Sequence, residues 1–171
     1  VFPMGSDNIT NDIAIGVRCD HDLAERIKTE FGACMGGKGK KMEKVQRPDG
    51  ELVSFSLSFV THIIEARMKE IFQLVQKEFK KIAKQGLLPA GVVFVGGGAK
   101  LPKLVDFAKK ELKLPARVGS PHGVLVSEAK PEFLAVCGLI VSLGESEGLK
   151  EAGSGAGAWN KIRKVFKAFI P

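Results

Sequence analysis

A chain of 171 residues with 44% apolar content is long enough to bury a core and reads as one globular unit, or as one unit with a subdomain inserted in it. Three cysteines, Cys19, Cys34 and Cys137, are odd in number and widely spaced, which argues against a disulfide framework, fits a reducing compartment and offers no zinc-ligand spacing. The formal net charge of +7 favours an anionic partner other than nucleic acid, since the basic cluster Lys38, Lys40, Lys41, Lys44 and Arg47 has no interleaved aromatics to stack on bases.

The first residues, Val1-Phe2-Pro3, read as the exit from a strand, so the chain is expected to be the C-terminal part of a longer protein. Neither a secretory signal nor a run of about twenty apolar residues is found. Thr10 or Asn11 is expected to cap a short helix from Asp12 to Val17, and Asp20 or Asp22 a second one ending at Phe31 before Gly32. Residues 42–46 and 51–55 are joined by Arg47-Pro48-Asp49-Gly50, a turn signal that predicts a β-hairpin. From Leu57 or Val60 to Gln85, apolar residues three and four apart (Val60, Ile64, Met68, Ile71, Phe72, Val75, Phe79, Ile82) predict the longest helix, with Lys69, Glu70, Lys77, Lys80 and Lys81 on its other face. His21, His62 and His122 are far apart, belong to no ligand or nucleophile motif and are assigned no chemistry.

Residues 91–95, Gly-Val-Val-Phe-Val, predict a strand buried on both faces. It delivers Gly96, Gly97 and Gly98 to the start of a helical segment, 101–112. Consecutive glycines there let backbone approach a polar ligand closely, because no Cβ blocks the way; on spacing alone, a tight strand-to-helix turn without a ligand explains them equally well. A short strand, 115–118, a loop, and a helix starting at Pro131 follow.

Residues 144–158 are rich in Gly, Ser, Ala and Glu and read as a flexible linker. Residues 159–171 read as an amphipathic helix. Trp159, Ile162, Val165, Phe166, Phe169 and Ile170 fall within an arc of about 140°, and Lys161, Arg163, Lys164 and Lys167 fill the rest. At roughly 18 Å it is too short for a hydrocarbon core of about 30 Å and is expected to lie flat on an anionic leaflet; docking in a partner groove is the alternative. Each cation is worth about 1 kcal/mol at such a surface, so one tail binds reversibly and a row of assembled protomers adds its tails by effective concentration.

Ala24-Glu25-Arg26-Ile27-Lys28, the stretch Val93 to Pro102 around the three glycines, and Pro131-Glu132-Phe133-Leu134-Ala135-Val136-Cys137-Gly138 resemble the second half of the ATPase superfold shared by actin, sugar kinases and heat-shock chaperones. More closely, Ile9-Thr10-Asn11-Asp12-Ile13-Ala14, Ile63-Ile64-Glu65-Ala66-Arg67 and Leu88-Pro89-Ala90-Gly91-Val92-Val93 are similar to FtsA, the actin-like bacterial cell-division family, as are the linker and tail. The resemblance implies an α/β, actin-like lobe at 1–143 with an inserted hairpin-plus-helix subdomain at about 34–87. It implies ATP held by Gly96, Gly97, Gly98 and Lys100, with Glu25 and Lys28 at ribose and base, and Mg²⁺ held by residues upstream of this chain. With the two phosphate-binding loops also upstream, this chain is expected to show weak ATPase activity at most. The partners implied are the FtsZ C-terminal peptide, met by Arg67 and Lys69, further copies of the protein in an actin-like polymer, other division proteins and anionic lipid. The implied location is the cytoplasmic face of the membrane at the septum. The alternatives are a PilM-like adaptor of type IV pilus assembly, or another actin-superfold ATPase such as a sugar kinase.

Overall fold

The computed structural model describes residues 2–36, 39, 41–82, 88–120 and 130–146. The expected tether beyond Ser146, the amphipathic segment 159–171, Lys38, Lys40, His122 and the predicted end of the long helix lie outside the described residues.

The first helix, α1 (Ser6–Val17), starts well before the expected boundary. Thr10 and Asn11 are therefore interior residues rather than caps. The N-cap is Gly5, whose extended backbone N–H donates to the Asn8 side chain at 2.8 Å, while the Asn8 N–H donates to the Gly5 carbonyl at 3.1 Å. That reciprocal pair satisfies donors the first turn would otherwise leave open. The second helix, α2 (His21–Phe31), is capped as expected by Asp20, whose carboxylate accepts from the Leu23 N–H at 2.9 Å. Gly32 ends it, and for a packing reason: a Cβ there would sit 2.3 Å from the Lys28 carbonyl oxygen.

The hairpin forms from β1 (Met42–Gln46) and β2 (Leu52–Ser56), antiparallel with Val45 opposite Val53. The turn is stabilised by the Asp49 carboxylate accepting from the Glu51 N–H at 3.0 Å and by Gly50 at φ 91°. Its inward residues, Val45 and Phe55, join the core, and the Phe55 ring meets Phe31 edge-on at 5.5 Å. The long helix, α3 (Leu57–Ile82), buries Val60, Ile64, Met68 and Phe72 along one stripe and packs against α1, while Lys69, Glu70, Lys77, Lys80 and Lys81 face solvent.

The second sheet is a parallel pair, β3 (Val92–Phe94) and β4 (Ala116–Val118), connected through a 3₁₀ turn at Gly97–Lys100 and α4 (Leu104–Leu112). Phe72 of α3 lies 6.0 Å from Phe94 and 5.9 Å from Phe107, so these three rings tie the hairpin-plus-helix portion to the sheet. Burying a side chain such as Phe107 contributes about 1.5–3 kcal/mol. The strand expected to be buried on both faces is not: Val92 and Phe94 face the core, but Val93 is 45% exposed. The cause is the size of the sheet, two strands among the described residues, with one face on α3 and α4 and the other partly open. After a 3₁₀ turn at Pro131–Phe133, α5 (Leu134–Ser146) carries the chain past the boundary expected at 143. No helix among the described residues is long and apolar enough to cross a membrane.

Candidate functional site

An open cleft of about 650 Å³ lies between the start of α1 and the face of α2 that carries His21, Glu25, Lys28 and Thr29 on one side and the glycine turn with Glu132 on the other. Five of the six residues singled out by the sequence reading line it: Glu25, Lys28, Gly97, Gly98 and Lys100. Gly96 does not; it makes the bend that leads in, at φ 87°, and its N–H donates to the Pro131 carbonyl at 2.8 Å. Side chains at Gly96 and Gly97 would meet nothing within 4 Å, so the turn leaves unfilled space beside its backbone. Gly98 is closer, with an added Cβ 3.1 Å from Cβ of Ser6.

On the α2 side, Glu25 and Lys28 are one helical turn apart and meet: Lys28 Nζ donates to Glu25 Oε2 at 2.5 Å. The lysine side chain is only 8% exposed and its ammonium is spent inside the protein, donating also to Thr10 Oγ1 at 2.8 Å and Ser6 Oγ at 3.2 Å. What Lys28 presents to the cleft is its hydrocarbon stem and its charge. Glu25 is 44% exposed and keeps an oxygen for an outside donor, since the bonds from Lys28 and Thr10 both end on Oε2. Partial burial pushes the Glu25 carboxyl up. The hydrogen bonds from Lys28 and Thr10, with the Lys28 charge and a smaller share from His21, outweigh burial and hold it below the ordinary carboxylate range.

The opposite wall is held by an ion pair between Lys100 Nζ and Glu132 Oε1 at 2.8 Å, which joins the glycine turn to the start of the last helical segment. That bond lowers the Glu132 pKa. The sequence reading missed Ser6, Asp7, His21, Thr29 and Glu132 as wall residues, together with Thr10 behind them. A helix beginning at Ser6 would have revealed two of them, because Ser6 and Thr10 are four apart and share a face.

The residues expected to meet a peptide lie elsewhere, on α3. Arg67 is no free cation: its guanidinium forms a two-pronged pair with Asp12 of α1, Nε to Oδ2 at 2.6 Å and Nη2 to Oδ1 at 2.7 Å, and Nη1 reaches Glu70 at 2.8 Å. Hydrogen bonding to Asp12 raises its pKa. Lys69 is exposed two positions away in sequence. Beside this pair a groove of about 290 Å³ runs between α1 and α3, past Ile15, Phe59 and Ile63.

The architecture is that of the second half of an actin-like protein. MreB5 of Spiroplasma citri bound to ADP superposes with a TM-score of 0.69 at 14% identity, covering 89% of this chain and 48% of MreB5. The MamK double helical filament superposes with a TM-score of 0.52 at 18% identity, over 67% of this chain and 38% of MamK. Within that class the sequence is specific: the family "Cell division protein FtsA" matches residues 1–138, and the chain belongs to the FtsA family. The FtsA of Pseudomonas aeruginosa is 32% identical over 72% of this chain and 30% of its own length. That of Bacillus subtilis is 32% identical over 82% and 32%, and that of Borreliella burgdorferi 30% identical over 99% and 44%. The chain thus spans between 30% and 44% of the length of these relatives.

Proposed function

We propose that this chain contributes the adenosine-binding half of an ATP-dependent, actin-like cell-division adaptor that links FtsZ filaments to the cytoplasmic membrane at the septum. The observation that carries the reading is the cleft, in which Glu25 and Lys28 of α2 face Gly97, Gly98 and Lys100 across about 650 Å³ in a chain of the FtsA family. Its chemistry fits an adenosine nucleotide. A partly solvated carboxylate accepts from ribose hydroxyls, the buried lysine's stem offers apolar surface to a base, and the bare backbone at Gly97 leaves room a Cβ would fill. Lys100 adds positive charge on the same side, held in place by Glu132. MreB5, similar in fold, is bound to ADP. ATP supplies differential binding energy between conformations; phosphate and Mg²⁺ contacts are assigned to other parts of the longer protein.

Lobe 1–143, linker and tail then have separate tasks. The lobe binds nucleotide and further copies of itself; the linker gives reach; Trp159, Ile162, Val165, Phe166, Phe169 and Ile170, with Lys161, Arg163, Lys164 and Lys167, attach to anionic lipid. FtsZ meets the inserted subdomain near Arg67 and Lys69, beside an apolar groove suited to a peptide that is acidic and apolar. Such a peptide competes with Asp12 and Glu70 for Arg67, so Asp12→Asn is expected to tighten binding of an FtsZ C-terminal peptide and Arg67→Ala to abolish it. Two experiments test the whole. Titration with ADP followed by NMR is expected to shift Glu25, Gly97 and Gly98 amides in the native chain and not in Glu25→Gln/Lys28→Met. Co-sedimentation is expected to pellet the full chain, but not a version ending at Gly157, with anionic and not neutral vesicles; equal pelleting of both versions would remove the membrane role of the tail.

A further inference from the structure

Thr10 stands in the middle of α1, wholly buried, on the helix face turned toward α2. A hydroxyl there must be satisfied or it destabilises the core, and its two short bonds both go to α2: Thr10 Oγ1 donates to Glu25 Oε2 at 2.5 Å and accepts from Lys28 Nζ at 2.8 Å, with the Ser6 carbonyl a longer contact at 3.5 Å. Donor and acceptor capacity are thereby both used on the two residues that form the α2 wall of the cleft.

The geometric consequence falls on Glu25. Its carboxylate lies on a flexible three-torsion side chain, 44% exposed, and Lys28 alone would leave it free to swing about one bond. With Thr10 as a second, uncharged anchor on the same oxygen, the carboxylate plane is fixed from two directions and Oε1, which accepts nothing among the described residues, is held for a ligand donor. The anchor comes from a different helix, so it also ties the orientation of Glu25 to the packing of α1 on α2.

We infer that Thr10 is a positioning residue that gives the cleft its selectivity for ligands bearing ribose hydroxyls, by fixing the Glu25 carboxylate between α1 and α2. The inference rests on the nucleotide reading of the same cleft. It differs from that reading in assigning the discrimination between hydroxylated and dehydroxylated sugar to a residue that never touches the ligand.

The test uses the 171-residue chain, titrated by NMR with ADP and with 2′,3′-dideoxy-ADP. The native chain is expected to prefer ADP by about tenfold, the order of one hydrogen bond to a charged group. Thr10→Ser, which keeps the hydroxyl, is expected to retain the preference. Thr10→Val, nearly the same shape, and Thr10→Ala, in case Val packs badly, are expected to bind the two nucleotides equally. Without any nucleotide, the Glu25 carboxyl carbon is expected to titrate at higher pH in Thr10→Val than in the native chain and in Thr10→Ser. If Thr10→Val and Thr10→Ala keep the native preference for ADP, the positioning role is overturned while the nucleotide site stands. If the native chain binds neither nucleotide, or both equally, the ribose contact at Glu25 falls and takes the inference with it.

Discussion

Replacing Lys28 with Met separates the electrostatic role of the lysine from its packing. Met keeps most of the stem volume in the 8% exposed position, so the change chiefly removes the bonds to Glu25 Oε2, Thr10 Oγ1 and Ser6 Oγ. A hydrogen bond to a charged group contributes about 1.5–3 kcal/mol when its partner is left buried. Here Glu25 is 44% exposed and rehydrates, so the ion-pair part is discounted heavily, and the net loss at pH 7 is expected to be about 1–2 kcal/mol. The pH dependence carries the sharper test. Glu25 has a depressed pKa in the folded chain, so its contribution is full above the ordinary carboxylate pKa of about 4.3 and is lost as pH falls through the depressed folded value. The penalty of Lys28→Met should therefore be largest at pH 7 and smaller at pH 3, where the bonds to Thr10 and Ser6 still count but the Glu25 charge counts for less. Urea denaturation at both pH values reads this directly, with a midpoint shift of about 0.5–1 M expected at pH 7. A penalty that is unchanged at pH 3 would mean that Lys28 stabilises the fold through its bonds to Thr10 and Ser6 and not through the Glu25 charge, and the account of Glu25 given above would be wrong.

Gly91 precedes β3 at φ 71° with the Pro115 carbonyl oxygen 2.0 Å from where a Cβ would be, so Gly91→Ala should cost about 3 kcal/mol or more by opening the Val92 N–H bond to Pro115; thermal melting checks it, and a variant as stable as the native chain refutes it. Lys113, the residue that ends α4, is left-handed at φ 55°, and Lys113→Gly should raise the melting temperature by about 2–4 °C, the gain being relief of strain less the added freedom of the unfolded chain. The Cys34 thiol is fully buried, and burial, with the Glu65 charge adding to it, pushes its pKa up to about 12. Ellman's reagent at pH 8 should therefore leave Cys34 unreacted until urea unfolds the chain; rapid labelling of the native protein there would contradict the packing around α2 and α3.

The long periodic elements were legible because one physical signal dominates each of them. Apolar spacing sets α3, Asp20 sets the start of α2, and the Pro-Asp-Gly turn sets the hairpin, with β2 displaced by only one residue. Glu25, Lys28 and the glycine turn were legible as candidates through family resemblance, but nothing local in the sequence says that they share a cleft. That juxtaposition depends on how α2 and the parallel sheet pack about the rest. Burial of β3 was misjudged because an apolar run reports what a strand can bury, whereas exposure depends on how many neighbours its sheet has. The pairing of Arg67 was not legible for a related reason: its carboxylate partner, Asp12, is 55 positions away in the sequence.

The start of α1 links the largest of these misses. Placing the cap at Thr10 assigned its hydroxyl to a helix end and left the residue no other task. Starting the helix at Ser6 puts Ser6 and Thr10 on one face, toward Lys28, and turns Asp12 about 200° away from Thr10 around the axis, toward Arg67. One helix of 12 residues thus supplies a wall and a buried anchor to the cleft on one side and half of the Arg67 clamp on the other. Because residues two apart on a helix do not face each other, the two sets of bonds share no partner, and substitutions at Thr10 and Asp12 can report on the cleft and on the α3 groove separately. Gly5 and Asn8 determine both at once, since it is their cap that decides where the helix begins.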